Sequence, residues 1–383
     1  SPAGIMHAGQ VYRFPIGRPA LLGLALLEGR VPPSDPVLVQ LWEKLLAKPP
    51  VTTYEAGVGL LFAEAYLRAC NGGRRVTKPS NMSREWMRKT ADYLASGCYG
   101  GGWTYHCPGA AGYSIGEDPK QRYSLNGPGE ESGEDADLAK LADESAAKNL
   151  SKDHDHSNSQ YAVLGLKAAS LCGVKVKGSR LMWRMVVHHF LKDQEAKGPE
   201  VDLKLTREEG GRGSEDYSME DEPKPRARGW SYGEASDRSP AYGTMSAAGM
   251  TALLVAQSEV EDLSGGEKRR IKLAVRDCLA WFQQNWSVDK NPLSEKFGGM
   301  PPGAHYYHLY GLERIGMLTQ VRAIAGHAWY KEGAELLLKA QAADGHWPGT
   351  AEAYPEDNRI KTAFAILFLA RSTREDYAVR GND

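Results

Sequence analysis

Six stretches of this chain are apolar on nearly every face, and a helix without a polar stripe must be buried on all sides. They are IGRPALLGLALLEG (Ile16–Gly29), TTYEAGVGLLFAEAYLRAC (Thr52–Cys70), NSQYAVLGLKAASLCG (Asn158–Gly173), TMSAAGMTALLVAQS (Thr244–Ser258), HYYHLYGLERIG (His305–Gly316) and IKTAFAILFLARS (Ile360–Ser372). Five amphipathic stretches alternate with them: Asp35–Ala47, Ser83–Gly97, Ser179–Gln194, Glu267–Trp286 and His327–Gln341. Ser83 and Ser179 read as N-caps, and Asp35-Pro36 as a cap followed by Pro in the first turn.

The alternation predicts an all-α fold with an inner ring of buried helices wrapped by an outer ring, an (α/α)6 toroid formed by one domain over residues 1–383. A hairpin of one inner and one outer helix covers one side of its neighbour, so the units must stack or close. The first outer helix is expected before Gly17 and is missing or irregular. A two-domain helical bundle is the alternative. Two polar insertions interrupt the pattern, at about 108–153 and 195–228, and the first holds the acidic run GEESGEDADLAKLADES. Insertions of this length are lids or solvated decoration.

The helix ELLLKAQ ends in Gln341 and breaks into Asp344-Gly345-His346-Trp347. Related corners are GGGWTY (Gly100–Tyr105), FLKDQ with RGWSYG (Phe190–Gly233) and WFQQNW with FGG (Trp281–Gly299). Gly permits the reversal, and the indole supplies a large apolar face with one N–H donor. The tryptophans are therefore assigned a structural role.

These corners resemble the QW repeats of the squalene-cyclase and protein-prenyltransferase superfamily, whose fold is an α/α toroid. The chain is similar to bacterial members carrying prenyltransferase or squalene-oxidase repeats. The matching phrases are TYEAGVGLLFAEA, HSNSQYAVLGLKAA, RGWSYG with MSAAGMTALL, YYHLYGLERIG, WYKEGAELLLKAQAADGHW and KTAFAILFLAR. The resemblance implies a central cavity for an apolar or isoprenoid-like ligand. It also implies motifs that the chain lacks. The Asp-x-Asp-Asp acid of class II cyclases is missing, and Ile360-Lys361-Thr362 stands at the corresponding helix start. The Asp-Asp-x-x-Asp motif and the Asp, Cys and His that hold prenyltransferase zinc are missing too.

With a formal net charge of −1, nothing favours nucleic acid or an anionic membrane surface. The five scattered cysteines have no zinc spacing, and no apolar run reaches the length of a membrane span. The chain opens SPAGIMHAGQ, which fits a trimmed chain or a mature exported protein and leaves the compartment open.

The starts of the inner helices would frame the cavity, and candidate chemistry is sought there. Asp155, His156, Glu55 and His305 are the catalytic candidates, and Tyr54, Asn158, Gln160, Tyr232, Tyr242, Tyr306 and Arg359 are candidates for binding a ligand. In KDHDHSNSQ, His154, Asp155 and His156 could ligate a metal, and Asp155 with His156 could act as an acid–base pair. The alternative is that Asp155 or Ser157 caps the helix while the histidines face water. His305 and His308 have metal-compatible spacing but need a third ligand, and core hydrogen bonding is the commoner explanation. A buried, unpaired Glu55 would serve as a general acid, which a partner such as Arg18 would cancel. No bound metal and no cofactor are expected.

Three functions remain open. The first is a terpene-cyclase-like isomerase or transferase, or a former one, binding an apolar small molecule. The second is a non-catalytic scaffold for a ligand or a partner protein. The third is a carbohydrate-active enzyme on an α/α toroid, for which Glu55, Asp155 and the His305–His308 pair are the only material.

Overall fold

The apolar and amphipathic stretches become helices close to where the pattern places them. A computed structural model describes residues 16–105, 107, 154–176, 178–207, 223–233, 240–294, 304–348 and 358–378, with the backbone of two short strands nearer the start. The apolar helices are α1 (Gly17–Glu28), α3 (Thr53–Cys70), α5 (His156–Leu171), α7 (Gly243–Glu259), α9 (His305–Thr319) and α11 (Asn358–Leu369). The amphipathic ones are α2 (Pro36–Leu46), α4 (Asn81–Ser96), α6 (Ser179–Asp193), α8 (Gly265–Gln284) and α10 (Trp329–Ala340). The fold is all-α. Among the described residues no helix is long and apolar enough to cross a membrane.

Helix starts follow capping chemistry. Asp35 caps α2 by accepting from Val37 N, and Ser264 with Glu267 forms a capping box on α8. Two expected caps move. Helix α4 begins at Asn81, so Ser83 lies inside its first turn, bonded to Ser80 Oγ at 3.0 Å. Helix α6 is preceded by Gly178 in the left-handed region, φ 73°, which makes Ser179 its first helical residue.

The apolar helices touch in a closed order: α1 with α3, α3 with α5, α5 with α7, α7 with α9, α9 with α11, and α11 back to α1. The amphipathic helices each pack on one or two of them. The α3–α5 crossing is close because it is made backbone to backbone. A Cβ on Gly57 would lie 2.3 Å from Tyr161 O, and one on Gly165 would lie 2.7 Å from Gly57 Cα.

The tryptophan corners share one hydrogen bond. Trp103 Nε1 donates to Leu94 O at 2.7 Å, Trp230 Nε1 to Phe190 O at 2.9 Å and Trp347 Nε1 to Leu337 O at 2.8 Å. Each acceptor is a carbonyl in the last turn of α4, α6 or α10, one of the groups that the end of a helix leaves without an internal partner. Gln194 Nε2 reinforces the second corner by donating to Arg228 O and Ala274 O.

Five short strands were not anticipated. Strands β1 (Ile5–His7) and β2 (Gln10–Tyr12) form an antiparallel pair. Strands β3 (Leu205–Arg207), β4 (Val321–Ile324) and β5 (His327–Ala328) form a small antiparallel sheet. The sheet changes two expectations. The helix expected from His327 starts at Trp329, and the beginning of the second insertion is ordered, with Lys204 N donating to Gln283 Oε1 at 2.8 Å. Strands of two to four residues are too short to show an alternating pattern in sequence. The first insertion lies outside the described residues.

Side chains of α5, α9 and α11 meet between these helices. Tyr161 of α5 stacks on Tyr307 of α9 with ring centroids 6.2 Å apart, and Phe364 of α11 lies against Tyr307 at 5.4 Å. Below them the buried Arg314 guanidinium sits 4.0 Å from the Tyr310 ring and donates to Gln160 Oε1 at 2.7 Å. A cavity of about 30 Å³ lies at the far end, lined by Leu61, Glu64, Leu164, Arg314 and Thr373 among others. That is well below the few hundred Å³ of a typical ligand pocket. Among the described residues, Tyr161, Tyr307, Phe364 and Arg314 thus occupy the space between α5, α9 and α11.

Two stability experiments follow. Trp230 is fully buried, so Trp230→Ala is expected to cost about 3–5 kcal/mol in urea unfolding. Glu313 is also fully buried, and burial lifts its carboxyl to about 7 despite hydrogen bonds from Thr373. An acid whose folded pKa lies above its unfolded value binds more protons when folded, so stability is highest below the unfolded value and falls as pH rises towards 7. Stability should drop by at most roughly 3 kcal/mol between pH 4 and pH 8, and Glu313→Gln should flatten that slope in paired urea titrations.

Candidate functional site: a histidine–aspartate cluster beside a tyrosine mouth

The HDH segment leads into α5, and its three side chains go separate ways. Asp155 is the N-cap of α5: Oδ1 accepts from Asn158 N and Oδ2 from Asn158 Nδ2, both at 2.7 Å. Burial raises the Asp155 carboxyl above its usual range, against the lowering effect of these Asn158 hydrogen bonds. The expected pairing of Asp155 with His156 is not formed. The His156 ring turns away, with Nδ1 2.7 Å from Ser231 O and Nε2 3.4 Å from Asp193 Oδ2.

His154 and His156 instead meet two residues from the end of α6. His189 and Asp193 are one helical turn apart, so they project from the same face. Asp193 Oδ2 lies 3.3 Å from His154 Nε2 and 3.6 Å from His189 Nε2. His156, His189 and Asp193 are buried and His154 is partly so. Phe190 packs on both the His156 and His189 rings, with centroids 5.1 Å away in each case. Burial pushes the His189 imidazole down to about 3. Burial alone would raise Asp193, but the surrounding imidazoles of His189, His154 and His156 overcome it and hold the carboxyl well below the usual range. Asp193 is thus a carboxylate and His189 a neutral ring at pH 7. Sequence reading missed both because α6 reads as an outer helix with a wetted face. The available signal was the His189-x-x-x-Asp193 spacing.

On the other side of Asp155 lies a group of tyrosines. Tyr54 Oη donates to Ser157 Oγ at 2.5 Å, and Ser157 Oγ is 3.1 Å from Tyr307 Oη. Gln160 Nε2 donates to the same Tyr307 hydroxyl, and Asn158 and Gln160 both act within this network. Tyr105 and Tyr232 join hydroxyls at 3.1 Å, and Tyr232 also reaches Asp155. Burial, with Asp155 and neighbouring phenols, raises Tyr54, Tyr232 and Tyr242 above the usual tyrosine value, so these hydroxyls remain protonated. Tyr54, Tyr232 and Tyr307 are only half-buried.

The other candidates lie apart. Glu55 is fully buried, but Oε1 accepts from Ile16 N at 2.8 Å and Oε2 from Val51 N at 3.0 Å. Its carboxylate ties the start of α1 to that of α3, so the condition for a general acid, a buried and unpaired carboxyl, is not met. His305 Nε2 lies 2.6 Å from Val288 O and His308 Nε2 3.0 Å from Ser287 O, so that pair fastens a loop and finds no third ligand among the described residues. Tyr306 is buried and donates to Pro348 O at 3.0 Å. Tyr242 is the buried N-cap position of α7, and Arg359 lies exposed near the start of α11.

No family model matches this chain, and no curated protein does.

Removing the Asp155 carboxylate would strip the α5 cap and leave the buried Asn158 amide without its acceptor. Asp155→Ala should therefore lower stability by roughly 2 kcal/mol. Asp155→Asn, which keeps an oxygen for Asn158 N, should lose less in the same chemical unfolding assay.

Proposed function

We propose that the chain is a non-catalytic binding scaffold of the α/α-toroid type, sharing architecture but not chemistry with squalene cyclases and prenyltransferases. The closed order of inner-helix contacts and the repeated indole corners support the toroid reading. The observation that carries the loss of catalysis is the plug across the ring, Tyr161 stacked on Tyr307 above Arg314, where a cyclase would hold its substrate. The carboxylates are also committed: Glu55 to backbone amides and Asp155 to a helix start. A glycosidase would need two such groups facing an open cleft. Binding falls to the mouth, where the half-buried Tyr54, Tyr232 and Tyr307 offer aromatic faces and hydroxyls to a peptide.

A cyclase-like isomerase or transferase that binds an isoprenoid is the second reading. It is favoured by the partial exposure of Tyr307, the residue that would have to swing out to open the ring. Product analysis after incubation with squalene or farnesyl diphosphate separates the two. The scaffold reading expects no conversion, and cyclised or transferred product above the buffer control would overturn it. Peptides selected by display against the intact chain should lose at least about tenfold in affinity on Tyr232→Ala.

A further inference from the structure

We propose that His154, His156, His189 and Asp193 bind one divalent transition-metal ion, preferably zinc, in a closed four-coordinate site that braces the start of α5 against the end of α6. The site is independent of the scaffold reading.

Geometry comes first. The ligand-offering atoms of the four residues all lie within 4.8 Å of one another. The three imidazole Nε2 atoms are 3.3, 3.4 and 3.6 Å from Asp193 Oδ2. A tetrahedral zinc ion with bonds of 2.0–2.1 Å needs its ligand atoms roughly 3.3 Å apart, so small adjustments would complete the shell. Three imidazoles and one carboxylate suit zinc by softness and by number.

Hydrogen bonding adds an independent argument. A carbonyl can only accept, so His156 Nδ1, 2.7 Å from Ser231 O, carries the hydrogen. In the neutral ring Nε2 then presents a lone pair to the Asp193 carboxylate, and two acceptors facing each other at 3.4 Å repel unless a proton or a metal ion lies between them. Nε2 of His156 and of His189 are both buried with no hydrogen-bond partner. Buried polar atoms of this kind require an explanation, and a shared metal satisfies both at once. The Ser231 carbonyl supplies the outer contact that usually fixes the tautomer and orientation of a ligating histidine. The Phe190 ring keeps water from the inner side, while the partly exposed His154 marks the route by which an ion would arrive.

Four protein ligands leave no position for a substrate, so the metal acts as a structural brace. It would join residues 154–156 to the last turn of α6 and, through Ser231, to the corner at Trp230. The mouth tyrosine Tyr232 is the next residue along.

The full chain is dialysed against a chelator, returned to buffer and titrated with zinc chloride or cobalt chloride. One equivalent of zinc per chain should bind, and zinc should raise the thermal midpoint while the chelator reverses the rise. Cobalt should give the intense visible bands of a four-coordinate nitrogen–oxygen site. Asp193→Asn should lower metal affinity at least a hundredfold. His154→Gln, which alters the most exposed ligand and so should still fold, is expected to lower it at least tenfold and shift the cobalt bands, while His305→Gln should leave both unchanged. Failure of the folded wild-type chain to bind zinc tighter than about 10 μM would overturn the site, as would uptake and cobalt bands that His154→Gln leaves unaltered.

Discussion

A helix that is apolar all round cannot be satisfied by one partner, and six such helices in one chain leave few arrangements that bury them all. Each inner helix here has another on either side and amphipathic helices on its outer face. Dense burial also needs surfaces that approach closely. Gly57 and Gly165 let two helix backbones touch, and Gly249 provides the seat on α7 for the Trp230 indole, whose ring atoms would lie 2.3 Å from a Cβ there. The amphipathic helices face water on one side, and their last-turn carbonyls lack the full helical partner that earlier ones have. The indole N–H groups meet that need while filling the corner.

The same requirement explains why polar residues gather at inner-helix starts without forming a reaction centre. A buried helix leaves its first N–H groups without internal acceptors, and a nearby side chain must supply them. Thr52, Asp155 and Glu55 do so, Glu55 with both carboxylate oxygens and Asp155 with one while its other holds the Asn158 side chain. Residue type alone does not distinguish a cap from a general acid. Partners and distances do, and here they favour the cap.

Legibility in the sequence followed the length scale of each interaction. Helices were readable because their periodicity is local: the pattern over 52–70 became α3 over 53–70. The corners were readable because Gln, Gly and Trp recur near helix ends. The histidine–aspartate cluster was only half visible. His154 and His156 stood out as HDH, but Asp193 lies 39 residues beyond His154, and only the fold brings the start of α5 to the end of α6. The contact of Gln160 with Arg314 was equally hidden, since the two are 154 positions apart.

The indole corners have a consequence for how such a chain can lengthen. Trp103 and Trp347 reach back 9 and 10 positions to their carbonyls, yet Trp230 makes the same bond across 40. The clasp is indifferent to how much polypeptide loops out between its two halves, since each doubling of such a loop adds only about 0.6 kcal/mol of closure entropy. Corners of this design can accept grafted segments while the helices they join keep their places, so new surface can be acquired at the periphery without redesigning the interior.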